Sequence, residues 1–582
     1  FSRDVPLAAV YREPEIAARH PTEKELTWAR ATLAKPADTD AKKTLSQIYA
    51  ERVLALAEQP AAYALPLQLL KIGDARVGTM PCEVFCEIGL DFRGRCGGKP
   101  AFLVSLAHGY YGYLPTPRQI DFGGYETWPG TNRLEREAAT KMLAELLDMA
   151  GVQPAGPQPP QQSLRGLRVD RGLEVELVAA EPEVIDPVAL AFDADGVLWV
   201  AEMGDYPTGP PDGGRPLSRI KRLHDRDGDG RYETATVFAD GLSFCNGLHP
   251  WRDGVVVTRA GGIEHLRDTD GDGRVDRRET WFTGFAEENS QLRANHPTLG
   301  IDGLFAVANG LRGGTVLPAD PRWQTPTPTG LDIRGRDFRF DPRGGSCEAI
   351  TGPGQFGLTF DDAGTRFVCT NRNPCIQIMF EDRDLRRQPA LALTTAVQDA
   401  SPAAERSRLH PLSRAWTTSN LHANQFSAAC GVHIHRGDGL PPGYAGNSFV
   451  CEPTGNLVHR DRLELHGVAW QAVENTTGRE FLAAADEWFR PVALADGPDG
   501  CLYVADMHRA VIEHPQFMPP ELAQRPDLRL GDDRGRIYRI RDARGRPNRP
   551  GPELSKAGVQ ELVATLDHPN GWHRDTAARL LL

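Results

Sequence analysis

Apolar positions along this chain change their spacing near residue 150. Before it, Glu23 to Leu33, Ala41 to Leu56 and Arg133 to Met149 place apolar residues near a 3.6-residue period, which predicts helices. Ala101 to Ala107 reads as a short apolar strand. After it, short apolar runs pass into an Asp/Gly turn and out into a second run. The unit reads PVALAFDADGVLWVAE from Pro187, GLHPWRDGVVVTRAG from Gly247 and PTLGIDGLFAVANG from Pro297. It returns as FGLTFDDAGTRFVCTN from Phe356, more loosely as GVHIHRGDGLPPGYAGNSFVCEP from Gly431, and as PVALADGPDGCLYVADM from Pro491. Asp-Gly marks a hairpin because Gly tolerates positive φ.

One hairpin cannot bury both of its faces, and repetition at roughly fifty residues is the spacing of propeller blades. The six recurrences therefore predict a mainly β chain with an about six-bladed β-propeller over residues 166–545. An open series of hairpins, or two β-sandwiches, is the plainer alternative. A smaller N-terminal α+β domain is expected over 1–150. A Pro/Gln-rich linker, within GVQPAGPQPPQQS from Gly151, is expected over 151–165. The tail over 557–582, with Val559 to Leu566 and Trp572 to Leu582 apolar at helical spacing, predicts a short helical segment.

Composition adds exclusions. The net charge of −12 argues against a nucleic-acid partner, whose phosphates need a basic face. No run is long and apolar enough for a membrane span. The chain starts at Phe1 without Met or a leader and stops inside an amphipathic pattern. It is read as a fragment or a processed form, with targeting information not visible. The ten Cys form no CxxC or CxxCH, which removes zinc-ribbon and haem-attachment readings. Cys82 and Cys86 could face each other on a helix, and Cys369 and Cys375 could bridge a loop.

Two acidic loops carry the clearest chemistry, DRDGDGRYETAT from Asp225 and DTDGDGRVDRRE from Asp268. A hard cation needs six to eight oxygens, and carboxylates at loop positions one, three and five converge when Gly at six allows a sharp turn. The second loop offers Asp268, Asp270, Asp272, the Arg274 carbonyl, Asp276 and Glu279 as a full calcium set. The first offers Asp225, Asp227, Asp229 and Glu233, but Thr236 stands where the bidentate Glu belongs. Flanking strand patterns make these calcium loops in strand connections with a structural role. A solvated acidic turn is the alternative.

In a propeller, the loops entering each innermost strand converge on the axis. Those positions hold Asp186, Asn246, Asn295, Gln355, Cys430 and Arg490, with His249, His296, Arg293, Arg312, His433 and His435 nearby. Such a channel can hold an anionic cofactor and a general base. It can equally be a water-filled channel closed by side-chain hydrogen bonds.

The stretch LEVELVAAEPEVIDPVALAFDADGVLWVAEMGDYP resembles the opening of the PVC-type membrane-bound dehydrogenase domain, a propeller family related to glucose/sorbosone dehydrogenases. LHDRDGDG, LRDTDGDG, GPGQFGLTFDD, GNSFVCEPTGNLVHR and ADMHRAVIEHPQ follow in that family's order, so the likeness covers Leu173 to Ile540. It implies a quinoprotein oxidoreductase acting on a sugar or alcohol, with calcium and pyrroloquinoline quinone. It further implies an electron-accepting cytochrome and a periplasmic or extracellular location. His249 or His296 would be the base, although Leu292 stands where relatives place theirs. Asn246, Arg293, Asn295, Gln355 and Arg490 would meet the cofactor, Arg490 or Arg293 holding its carboxylates. ELVATLDHPNGWHRDTAARLLL resembles the start of HEAT-like helices.

The first segment has its own resemblance. MPCEVFCEIG and LAHGYYGYLPTPRQIDFGGYETWPGTNRLE are similar to the end of neutral ceramidase-like hydrolases, whose zinc ligands match Glu83 and Tyr113. PCE replaces the usual PGE, and the remaining ligands would lie upstream, so zinc is expected only with such a half-site. Two further readings stay open beside the oxidoreductase. They are a non-catalytic propeller binding carbohydrate or protein, and part of a zinc-dependent amide hydrolase.

Overall fold

The computed structural model describes residues 5–35, 43–96, 100–152, 157–210, 214–413, 422, 424–473, 478–514, 518, 531–545 and 553–582. The chain divides into two units, Phe1–Gly156 and Pro157–Leu582. No helix among the described residues is long and apolar enough to cross a membrane.

The first unit is α+β. A four-stranded sheet orders Leu7–Arg12, Leu67–Ile72, Ala75–Thr79 and Ala101–Val104, the last pair parallel. Helices Glu23–Leu33 and Leu45–Ala57 each start at a Thr capping box, Thr22 with Glu25 and Thr44 with Gln47, which satisfies N–H groups the helix cannot. The second was expected from Ala41, but residues 36–42 lie outside the described set. The helix expected from Arg133 begins at Ala138 instead. Leu134 bridges Ala18 and the Glu135 N–H donates to the Ala17 carbonyl, so this stretch is held extended. Between Gly151 and Ser163, residues 153–156 lie outside the described set, and Pro160–Gly166 is helical.

The second unit is mainly β and propeller-like. Strand β1 (Leu173–Ala180) follows a three-residue strand, Leu167–Val169. Six mainly antiparallel sheets then begin with β2 (Pro187–Phe192), β3 (Gly247–Trp251), β4 (Asn295–Leu299), β5 (Leu358–Phe360), β6 (Cys430–Ile434) and β7 (Pro491–Asp496). Each of the six sequence repeats supplies one of these first strands. The turns explain the repeated residues: Asp193 Oδ1 accepts from the N–H groups of Asp195 and Val197, and Asp361 Oδ1 from those of Ala363 and Thr365. Gly196 and Gly364 close the two turns at φ of 76° and 78°, the left-handed region.

The first strands pack side by side in cyclic order, β2 touching both β3 and β7. The last sheet is completed from the other end of the unit. Strand β8 (Arg536–Asp542) pairs with β1, Leu173 opposite Asp542. Charge reinforces this seam. Glu176 meets Arg539 and, at 2.7 Å, Arg541; Glu181 meets Arg534 at 2.9 Å and Arg536 at 3.1 Å. Between the second and third sheets, Trp281, Phe282, Trp323, Phe338 and Phe340 form a buried aromatic cluster. Two short helices, α1 (Val559–Thr565) and α2 (Gly571–Leu581), dock where the first strands end. Arg436 binds Asp575 at 2.6 Å and Asp362 at 2.5 Å, and the Asn570 side chain donates to the Gly497 carbonyl.

The seam is acid-sensitive. Burial works against charge on Glu176 and Glu181, but their arginines outweigh it and hold both carboxyls below the ordinary 4.5. Depressed carboxyls contribute stability that is present in full above 4.5 and lost as pH falls from there through their lower folded-state values. Thermal unfolding between about pH 7 and pH 2 checks this. The double variant Glu176→Gln, Glu181→Gln should melt lower than the native chain at neutral pH, and its midpoint should fall less on acidification.

Candidate functional site in the central channel

The first strands enclose a cavity of about 520 Å³, with α2 across one end. Its wall is largely small and apolar, with Ala189, Ala191, Leu248, Val432, Ala493 and Ala495. His249, His296, His433, Thr298, Thr359 and Asp496 break that lining.

His296 is the best-defined polar group. It sits at φ 50°, rare for a side chain of this size, just after the fully buried Asn295. The Asn295 amide is fixed because Nδ2 donates to the carbonyls of Arg293 at 2.8 Å and Gln355 at 2.6 Å. Its Oδ1 must then accept, from the Gly357 N–H at 3.2 Å and from His296 Nδ1 at 2.8 Å. A neutral His296 therefore carries its proton on Nδ1 and leaves the Nε2 lone pair without a protein partner among the described residues. Burial, with His433 nearby, pushes this imidazole down to about 4. His249 packs edge-on against Phe305, and burial, with Arg579 adding repulsion, pushes it to about 3. Both rings are neutral at physiological pH.

The five residues read from sequence as cofactor contacts are all engaged with the fold. Asn246 Oδ1 accepts from Thr258 at 2.9 Å, and Gln355 makes a reciprocal pair with Asn371 at 2.8 and 2.9 Å. Asn295 is bonded as described. Arg490 donates to the carbonyls of Arg509, Pro453 and Ala510. Arg293 donates to the Glu287 carbonyl and lies 4.0 Å over the Phe244 ring, its Nη1 buried without a partner. Asp186 is likewise closed off, in a bidentate pair with Arg509 at 2.5 and 2.6 Å. Polar residues at an axis away from water find partners, and here those partners are neighbouring loops.

His433, His435 and Asp496 come together at the ends of β6 and β7. The two histidines were visible as channel neighbours, but Asp496 was missed. Its signal lay in the repeats: PVALAF in the first sheet becomes PVALAD in the last, Asp496 replacing Phe192.

The acidic loops are built alike. Asp225 accepts from the Gly228 and Gly230 N–H groups, and Asp268 from those of Gly271 and Gly273. Carboxylate oxygens of Asp225, Asp227 and Asp229 lie within 4.8 Å of one another, as do those of Asp268, Asp270 and Asp276. Asp272 caps the Arg274 N–H and stands outside that trio. Glu233 accepts from the Arg226 N–H. Glu279 does not serve as the twelfth-position ligand. It lies on a strand opposite His265, where Arg267, Arg277 and Arg322 hold its carboxylate at 3.1, 2.8 and 3.3 Å.

In the first unit, Glu83 and Tyr113 do meet, as register partners on two short parallel strands. Tyr125, then Glu83, push the Tyr113 phenol up. No trio of His, Cys, Asp or Glu donors forms there among the described residues. No disulfide joins the described cysteines. Cys82 lies ahead of the helix that begins at Cys86, so the two share no helix face, and buried Cys369 and Cys375 form no bridge.

A family model described as "Domain of unknown function (DUF7133)" matches residues 159–544. No curated protein matches the chain. Among solved structures, the holo pyranose dehydrogenase PQQ domain of Coprinopsis cinerea is 15% identical, covering 67% of this chain and 99% of its own, at a TM-score of 0.37. A Trichoderma reesei carbohydrate-active enzyme of family AA12 is 11% identical with the same coverages and TM-score. A luciferin-regenerating enzyme is 11% identical, covering 66% and 99%, at 0.36. At such scores these say nothing about what this chain acts on.

The engaged arginine gives a stability test. Arg490→Met strands three buried carbonyls, each costing about 1–3 kcal/mol, so chemical denaturation should register a loss of about 3 kcal/mol or more.

Proposed function

The chain belongs to the DUF7133 family over residues 159–544, and on that footing we propose that it is an oxidoreductase of the sugar or alcohol dehydrogenase kind, working in its central channel. The six sheets are read as the blades of one six-bladed propeller, whose axis is that channel. The observation that carries the reading is the fixed tautomer of His296. Asn295 holds the proton on Nδ1, and the bare Nε2 accepts the proton of a substrate hydroxyl as hydride leaves the carbon. The apolar wall keeps the ring neutral and offers faces on which a sugar or alcohol carbon skeleton packs.

The quinone expected from resemblance does not fit the residues assigned to it. Pyrroloquinoline quinone is a tricarboxylate and needs cations turned toward it. Arg490 and Arg293 donate to backbone carbonyls. Arg436 and Arg574 on the cavity wall are neutralised by Asp362 and Asp575. The hydride acceptor must therefore be a two-electron carrier from outside the chain's own side chains. A cytochrome would serve only beyond a two-electron carrier.

Calcium fits the acidic loops better. Asp225, Asp227 and Asp229 would hold one ion, and Asp268, Asp270 and Asp276 a second, with a structural effect on two strand connections. Without a bidentate Glu, affinity falls toward the ~10⁻⁴–10⁻³ M of extracellular modules. That range accords with a periplasmic or extracellular location.

A second reading has one observation in its favour: the five polar residues read as cofactor contacts each have a structural partner, as in a non-catalytic carbohydrate-binding propeller. Dye reduction across sugars and alcohols, with and without added quinone and calcium, separates the two. Turnover that falls about 10²–10⁴-fold in His296→Gln, with binding kept, is expected. Sugar binding with no reduction under any condition replaces the oxidoreductase by the binding module. For the loops, millimolar calcium should raise the thermal midpoint of the native chain, and Asp225→Asn with Asp268→Asn should abolish the rise. An unchanged midpoint in the native chain rejects calcium.

A further inference from the structure

The channel wall carries a second set of donors that the oxidation step does not use. His433 on β6 and Asp496 at the end of β7 face the cavity, and His435 is fully buried behind them. Their ligand atoms, two imidazole nitrogens and one carboxylate oxygen, all lie within 4.8 Å of one another. Asp496 Oδ1 stands 2.5 Å from His435 Nδ1 and 3.1 Å from His433 Nε2. Only the first of these is a hydrogen bond. His433 Nε2 is out of line and has no partner, although it is buried. The other Asp496 oxygen accepts from the Arg436 N–H at 2.6 Å, which fixes the carboxylate plane. The Arg436 guanidinium, the nearest cation along the chain, is turned to Asp362 and Asp575.

We propose that His433, His435 and Asp496 bind one divalent first-row transition cation in the channel. Metal–ligand bonds of about 2.0–2.2 Å place neighbouring donors roughly 3 Å apart. The carboxylate already stands at about that distance from both rings, so a shift of tenths of an ångström admits an ion. An ion would also give His433 Nε2 the partner it lacks. Two imidazoles and one carboxylate are a donor set for zinc, iron, cobalt or nickel rather than for calcium, which takes six to eight oxygens. The Arg436 N–H is the outer-shell bond that orients such a carboxylate. The remaining coordination positions open onto the cavity, where a water or a substrate oxygen would sit. The site stands on these three side chains and is independent of whether the channel oxidises a hydroxyl.

Cobalt(II) and zinc are the probes, added to the chelator-treated full chain. One equivalent should bind, with a visible cobalt spectrum and a rise in thermal midpoint. Excess calcium should leave it in place. His433→Asn should weaken binding at least about tenfold, while a variant with Asp225→Asn and Asp268→Asn keeps the spectrum. X-ray absorption of the zinc-loaded native chain needs no variant to fold, and should show two imidazole nitrogens. An all-oxygen shell, displacement by calcium, binding untouched by His433→Asn, or no binding would each overturn the proposal. Absence of sugar oxidation would leave every one of these readouts unchanged.

Discussion

One buried amide holds the channel in register. Asn295 joins its own sheet to the next through the carbonyls of Arg293 and Gln355 and the N–H of Gly357, and orients His296 with the oxygen that remains. A group this far from water must use all of its hydrogen-bonding capacity. Asn does so here with both donors and a shared acceptor. The identity of the adjacent base, its tautomer and the direction of its lone pair all follow from that single side chain.

The same rule runs round the axis. Gln355 and Asn371, Arg490 and three carbonyls, and Asp186 and Arg509 each tie one loop to another. They make the ring stiff, and they also explain why polar residue types near an axis are a poor guide to ligands. A side chain read as a cofactor contact and one read as a loop clamp are the same residue in sequence. Only the partner distinguishes them.

Much of the architecture was legible because it is local. The Asp/Gly hairpins and the repeated apolar strands each need only a few consecutive residues, and the structure uses each as its chemistry suggests. The two acidic loops were legible for the same reason down to their Asp-Gly turns. What was not legible depends on residues distant in sequence. Glu279 looked like a calcium ligand until Arg322, from another loop, and Arg267, from the paired strand, took its carboxylate. The helix before Met149 starts late because Ala17 and Ala18 hold residues 134 and 135. Asp496 gained its meaning only beside two histidines from the preceding sheet, though its departure from the matching Phe192 was there to be seen.

The seam between β1 and β8 has a bearing on how the chain comes into being. Glu174 and Arg541 join across 367 residues. On a ribosome β1 emerges before the five sheets that separate it from its partner are made. Contacts of such long range are slow to form, and unpaired edges invite association with other chains. Glu174 and Glu176 put like charges along the edge of β1, which would face like charges in a second copy and opposite ones in Arg539 and Arg541.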